Sequence, residues 1–152
     1  MVINVYIDAD GSPVVDLAVE IASQYSLKTY IICDTSHHIE REGAETIIVP
    51  RGADAVDFVI VNRVRQDDLV ITQDYGLAAM VLARKAHAIN QNGLIFTDEN
   101  IGSLLASRHI SQKIRRGGGR KNGPKKRTKE QDKRFIVNFE KLIQDVLRKK
   151  KG

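Results

Sequence analysis

The sequence predicts an α/β fold built on a mostly parallel central sheet. Two observations carry that reading. Short apolar, β-branched runs recur along residues 1–107, and segments of about ten residues with apolar side chains at helical spacing separate them. A chain of this pattern builds βαβ units, and ligands of such sheets bind beyond the carboxyl ends of the strands. The third observation concerns those ends, where acidic residues recur: Asp8 and Asp10, Asp34, and Asp74.

Val2 to Ile7 reads as a buried strand that stops at Asp8. Ser12 and Pro13 then suit the N-cap and first position of a helix carrying Val14, Leu17, Ala18, Ile21 and Ala22. Lys28 to Cys33 and Glu45 to Val49 are the second and third strands. A helix from about Asp54 to Val64 turns Val56, Val59, Ile60 and Val64 inward. Leu69 to Thr72 is the fourth strand, and Gly76 to Lys85 an Ala- and Leu-rich helix. Ala88–Ile89 and Leu94–Phe96 flank an Asn92-Gly93 turn, as in a hairpin. Thr97 or Asp98 caps a helix with Ile101, Leu104, Leu105 and Ile110. Arg115 to Arg127 (RRGGGRKNGPKKR) cannot build a core and reads as a basic loop. Thr128 to Lys150 returns to helical spacing, with Phe135, Phe139, Leu142, Ile143 and Val146 on one face. The expected organisation is an α/β domain over 1–113, a basic Gly-rich loop over 114–127, and a C-terminal helix over 128–152 packing back on the domain.

The 152 residues suffice for one domain with a hydrophobic core. The single cysteine, Cys33, excludes an intrachain disulfide and a Cys-rich zinc site, and reads as a small buried hydrophobe. Aromatic residues make up 5% and Trp is absent, which argues against a broad base-stacking platform. The opening MVINVYIDADGS lacks the basic region of a signal peptide, and no apolar run reaches the roughly 18 residues of a membrane span. A soluble cytoplasmic chain without membrane partners is expected; nothing in the sequence sets an oligomeric state.

Net charge is +5, unevenly distributed. Residues 108–152 hold 17 Lys and Arg against 4 Asp and Glu, whereas residues 1–107 hold 7 against 15. An acidic body suits a cation; a basic arm suits phosphates, whose counterions it would release. Asp54 and Asp57, at i and i+3, share a helix face. If the first and fourth strands are neighbours, Asp8, Asp10, Asp57 and Asp74 converge. Carboxylates gathered in one cleft repel and require a cation or raised proton affinities. Hard oxygen donors without Cys suit Mg²⁺ or Mn²⁺, which activate water and neutralise a phosphodiester.

Each residue also has a structural reading. Asp10-Gly11 suits a turn, Asp34 a cap, and Asp57 a pair with Arg51 or Arg63. Ser12, with no His partner in view, suits a helix cap better than a nucleophile. His37 and His38 are adjacent and cannot chelate together from a strand. Gly118 and Gly123 have phosphate-loop spacing, but Pro124 stands where the Lys is required. Asn4, Thr72 and Gln73 lie near Asp8 or Asp74 in sequence and are candidates to orient them.

The motifs Asp8-Ala9-Asp10 with Pro13-Val14, Gly52-Ala53-Asp54 through Asp57, and Val70-Ile71-Thr72-Gln73-Asp74 with Leu77-Ala78 resemble those of the YaiI/YqxD family. So do Asn100-Ile101, Gly118-Gly119-Arg120 and Gly123-Pro124-Lys125. The resemblance spans nearly the whole chain, and the family looks like a branch of the PIN-like nuclease superfamily. Two positions depart from the pattern. Ser12 stands where Cys is usual, which argues against an obligatory thiol, and Tyr75-Gly76 replaces Ile-Pro or Ile-Gly. The resemblance implies a PIN-like three-layer α/β sandwich with acidic residues around a divalent metal. By position it assigns Asp8, Asp57 and Asp74 to the metal, with Asp10 or Asp98 as a fourth acid.

Three functions follow as expectations. The first is a metal-dependent nuclease acting on RNA. Asp8, Asp10, Asp57 and Asp74 would form its catalytic and metal site, and Arg115, Arg116, Arg120, Lys121, Lys125, Lys126 and Arg127 would hold the nucleic-acid backbone. The second is a non-catalytic RNA- or ribosome-associated protein bound through the basic arm. The third is a phosphatase of the haloacid dehalogenase type with Asp8 as nucleophile, because Asp8-Ala9-Asp10-Gly11-Ser12 resembles that superfamily's first motif.

Overall fold

The structure, a computed structural model, describes residues 2–52, 54–107 and 126–151. A six-stranded sheet comprises β1 (Asn4–Asp8), β2 (Lys28–Asp34), β3 (Glu45–Val49), β4 (Leu69–Ile71), β5 (His87–Ile89) and β6 (Ile95–Phe96). Their order is β3-β2-β1-β4-β5-β6, parallel except for the antiparallel pair β5–β6. β1 is central, with Tyr6 opposite Tyr30 on one side and Val70 on the other. The helices are α1 (Val15–Gln24), α2 (Ala55–Arg63), α3 (Tyr75–Ala83), α4 (101–107) and α5 (Lys129–Lys151).

Alternation along the strands divides the core in two. Val5, Ile7, Ile31, Cys33, Leu69, Ile71 and Ile89 face α1 and α5. Tyr6, Tyr30, Ile32, Val70 and Ala88 face α2, α3 and α4. This is the expected three-layer α/β sandwich, with α5 completing one outer layer through Phe135, Phe139, Leu142, Ile143 and Val146.

Local chemistry explains the element ends. α5 opens with a reciprocal cap: Gln131 N donates to Thr128 Oγ1 (3.2 Å) and Thr128 N donates to Gln131 Oε1 (2.9 Å). Thr97, rather than Asp98, makes the corresponding bond at α4, accepting from Asn100 N at 3.1 Å. Gly93 sits at φ +88°, where a Cβ would lie 2.6 Å from Arg134 O, so only glycine lets α5 approach the hairpin turn this closely. Asn138 Nδ2 donates to Gly93 O there (2.8 Å).

Several expectations shift. β1 runs from Asn4 through Asp8 instead of Val2 to Ile7, leaving Val2 exposed. Helix α1 begins at Val15, with Pro13 in the preceding turn. Ser12 does not cap it; its Oγ only meets Val14 N at 3.4 Å. Among the described residues, no helix is long and apolar enough to cross a membrane.

Candidate acidic site at the strand ends

The sheet order reverses direction at β1: β2 and β3 lie to one side, β4 to β6 to the other. Loops leaving β1 and β4 therefore diverge, opening a crevice beyond their carboxyl ends. Asp8 closes β1, and its side chain points toward the α2–α3 face, in phase with Tyr6. Thr72 immediately follows β4 and is buried. Its Oγ1 donates to Asp8 Oδ2 (2.7 Å) and accepts from Asp74 N (3.0 Å). One hydroxyl thus ties the ends of two adjacent strands. Asp74 is the N-cap of α3, its Oδ1 accepting from Leu77 N at 3.1 Å. From the facing helix, Asp57 comes within electrostatic reach of Asp74, Asp8 and Asp54 and hydrogen-bonds to Asp74.

The electrostatics show the crowding. Burial, followed by repulsion from Asp74, Asp8 and Asp54, pushes the Asp57 carboxyl up from 3.8 to about 6. Burial also raises the Asp8 carboxyl. The Thr72 bond opposes that shift, while Asp74 and Asp10 reinforce it. Among the described residues, no Lys or Arg forms an ion pair with Asp8 or Asp57. Arg63, a sequence candidate to pair with Asp57, lies over the Tyr30 ring at 4.9 Å instead.

Two pockets meet at Asp74. One, of about 470 Å³, is lined by Asp8, Asp10, Gln73, Asp74 and Tyr75. The other, of about 550 Å³, runs between α2 and α3 along Asp54, Asp57, Phe58, Val61, Asn62, Asp74, Gly76 and Met80. The structure thus brings Asp8, Asp57 and Asp74 together and places Asp10 on the rim.

Asp10 also belongs to a turn, closed by Ser12 N donating to Ala9 O (3.0 Å), with Gly11 at φ +71°. Its Oδ1 is 3.5 Å from His37 Nδ1, which lies 3.1 Å from Asp34 Oδ1. Donor atoms of Asp10, Asp34 and His37 all lie within 4.8 Å of one another. Sequence reasoning missed this group because it weighed His37 only with His38, which instead meets Glu40 at 3.1 Å. The i, i+3 spacing of Asp34 and His37 was the available signal; that Asp10 joins them depends on the pairing of β1 with β2.

Other candidates lie elsewhere. Asp98 is exposed in a separate pocket beside Glu99 and Lys149. Asn4 is at the opposite end of β1, its N–H bonded to Asp68 Oδ1 (2.9 Å), so it cannot orient Asp8. Gln73 is an exposed wall residue. Arg115, Arg116, Arg120, Lys121 and Lys125 lie outside the described residues; Lys126 is exposed. Composition places Arg127 with the nucleic-acid-facing run, but protein partners occupy its guanidinium. It donates to Asp132 Oδ1 (2.6 Å), Gln91 O (2.6 Å) and Asn92 Oδ1 (3.1 Å), tying the start of α5 to the β5–β6 turn.

Comparison with known proteins agrees with the sequence motifs. Residues 6–145 match the family model described as "Uncharacterized BCR, YaiI/YqxD family". A UPF0178 protein of Exiguobacterium sibiricum is 54% identical over 140 residues, covering 92% of this chain and 96% of the relative. UPF0178 proteins of Clostridium kluyveri and Clostridium acetobutylicum are 46% and 41% identical, each over 92% of this chain and over 92% and 96% of their own lengths. No solved structure matches the chain. With the family model covering most of the sequence, the chain belongs to the YaiI/YqxD family.

Proposed function

We propose that the chain is a divalent-metal-dependent phosphodiesterase acting on RNA, with Asp8, Asp57 and Asp74 as its metal-holding carboxylates and Asp10 beside them. The observation that carries this reading is the convergence of the three carboxylates from β1, α2 and the β4–α3 junction, with burial and mutual repulsion raising the proton affinity of Asp57 and Asp8. Such a group gains most from a cation, and an all-oxygen donor set suits Mg²⁺ or Mn²⁺. When bound, the ion would supply charge neutralisation at the phosphodiester and activation of water.

The chain's own residues divide the remaining work. Thr72 holds Asp8 and the Asp74 backbone in one register. Asp74 is held in place as the N-cap of α3, its carboxylate accepting from Leu77 N. Asp57, where it does not ligate the ion, would take the proton of the attacking water as that water's oxygen bonds to phosphorus and the leaving oxygen departs with a proton from solvent. Exposed Lys126 and the basic run Arg115, Arg116, Arg120, Lys121 and Lys125 supply backbone contacts that hold RNA without reading its sequence.

The test is cleavage of end-labelled single-stranded RNA in Mn²⁺, with EDTA and Asp8→Asn as controls. Cleavage abolished in both controls is the expected result. Retention of RNA on a gel without cleavage would favour the second reading, a non-catalytic RNA-binding protein, for which the 17 basic residues of 108–152 speak. Metal-dependent hydrolysis of p-nitrophenyl phosphate with no action on RNA would favour the phosphatase.

A further inference from the structure

The second wall of the groove is apolar, and the proposed hydrolysis leaves it unexplained. Phe58 is 72% exposed and Met80 43% exposed. They line the same pocket as Asp57 and Asp74, Phe58 from α2 and Met80 from α3. A phenyl ring so solvated forgoes the stabilisation that burial would give it. The preceding residue of α2, Asp57, is an acidic-site carboxylate, so whatever covers the ring must also tolerate Asp54, Asp57 and Asp74. A second protein surface of ordinary apolar character would bury these charges unpaired. A nucleotide meets both walls: its base is a flat apolar face, and its phosphate is drawn by a divalent ion among the carboxylates. The pocket volume of about 550 Å³ is in the range for such a ligand.

We propose that Phe58, with Met80 across the groove, is the platform on which one unstacked base of a single-stranded nucleic acid lies while the adjoining phosphate is held at Asp57 and Asp74. The assignment deepens the phosphodiesterase reading and rests on it for the divalent ion. A duplex keeps its bases stacked inside and cannot present one to the ring without the cost of unpairing. The groove therefore selects single strands. One ring serves one base, which is compatible with the low aromatic content. Met80 is suited to the opposite side because its flexible, polarizable side chain packs against any base.

The chain has no Trp, so Phe58→Trp introduces a single Trp at the platform, excited selectively over the four Tyr. The full chain is titrated in Ca²⁺ and in EDTA with a fluorescein-labelled ten-nucleotide oligoribonucleotide, its abasic counterpart and a duplex of the same length. Anisotropy reads affinity for the unaltered protein, Phe58→Ala and Phe58→Leu, and the unlabelled oligonucleotide is used to read quenching of Phe58→Trp. Phe58→Ala and Phe58→Leu are expected to weaken the single strand by about tenfold, the scale of one base–aromatic stack. They should leave the abasic strand, the duplex and the unfolding temperature unchanged. Phe58→Trp should bind at least as tightly as the unaltered chain, with emission quenched in Ca²⁺ and much less so in EDTA, where the basic run still holds the strand. Unchanged affinity of Phe58→Ala, unquenched emission, or no single-strand binding by the unaltered protein would overturn the platform. So would a dimer in sedimentation that Phe58→Ala dissociates, because the ring would then cover a second copy. Phe58-dependent binding without cleavage would leave the platform standing and remove the hydrolytic reading. Metal-dependent cleavage that is unaffected by Phe58→Ala would do the reverse.

Discussion

Replacing Asp57 by Asn removes one negative charge from the acidic groove at nearly constant shape, and its effect on stability has a definite sign. The Asp57 carboxyl is raised from 3.8 to about 6 in the folded chain, so between those values the native state holds a proton that the unfolded state has released. Stability linked to this group is therefore present below about pH 4, falls as pH rises through 6, and is lost at pH 8. At 1.36 kcal/mol per pH unit, the shift amounts to roughly 3 kcal/mol. The groove is open to water on one side, and screening reduces that to about 1–2 kcal/mol. For a chain of this length the gain on Asp57→Asn corresponds to an unfolding temperature higher by about 3–6 °C at pH 8. Near pH 4 the two proteins should melt together. Circular dichroism melts at pH 4, 6 and 8 in EDTA measure the difference directly. Millimolar Mg²⁺ should then stabilise the unaltered chain more than the variant, because the cation relieves the same repulsion. A variant no more stable than the parent at pH 8, or one equally stabilised at pH 4 and 8, would refute the repulsion argument.

Three further outcomes follow from the geometry. Thr72→Val removes the hydroxyl bond that lowers the proton affinity of Asp8, so Mn²⁺ affinity by calorimetry should drop about tenfold, and more at pH 6 than at pH 8. Asp74 has two roles that substitutions separate. Asp74→Asn keeps a capping oxygen for Leu77 N and should retain stability, Asp74→Ala should lose about 1 kcal/mol in urea unfolding, and both should lose metal affinity. Gly93→Ala drives a Cβ into Arg134 O at φ +88° and should cost about 2–4 kcal/mol, with amide exchange in α5 accelerated before that of β1.

The fold was legible because its signals are local. The β-branched runs of β2 to β4 and the apolar stripe of α5 each state their own burial. Register and facing are not local, and the differences lie there. The apolar run predicts a strand that stops before Asp8, but Asp8 is the last residue of β1, bonded to Thr72. Asn4 is only four residues from Asp8, yet a strand rises about 3.3 Å per residue, which places it at the far end of the sheet. Arg127 belongs to a basic run by composition, while its partners Gln91 and Asn92 are distant in sequence and meet it only when α5 docks. Phe58 falls outside the inward stripe of Val56, Val59, Ile60 and Val64, but its place across a groove from Met80 follows only from the packing of α2 beside α3.

The arrangement of the carboxylates bears on whether they are a working site or a relic. Repelling groups on mobile loops relieve one another by moving apart. Here Asp8 is fixed at the end of a central strand, Asp74 by its cap on α3, and Asp57 on a helix packed over the same face through Ile60. Separation would break β1–β4 pairing or uncap α3, so the repulsion is expressed as raised proton affinity instead of displacement. A purely structural cluster would be relieved by one Lys or Arg in ion-pair contact. Among the described residues none reaches Asp8 or Asp57, although elsewhere Arg41 pairs with Asp16 and Lys28 with Glu45. Protonation relieves the repulsion at low pH, and at neutral pH a cation would relieve it. On the proposed reading, a divalent ion would supply that charge and give the rigid spacing a use.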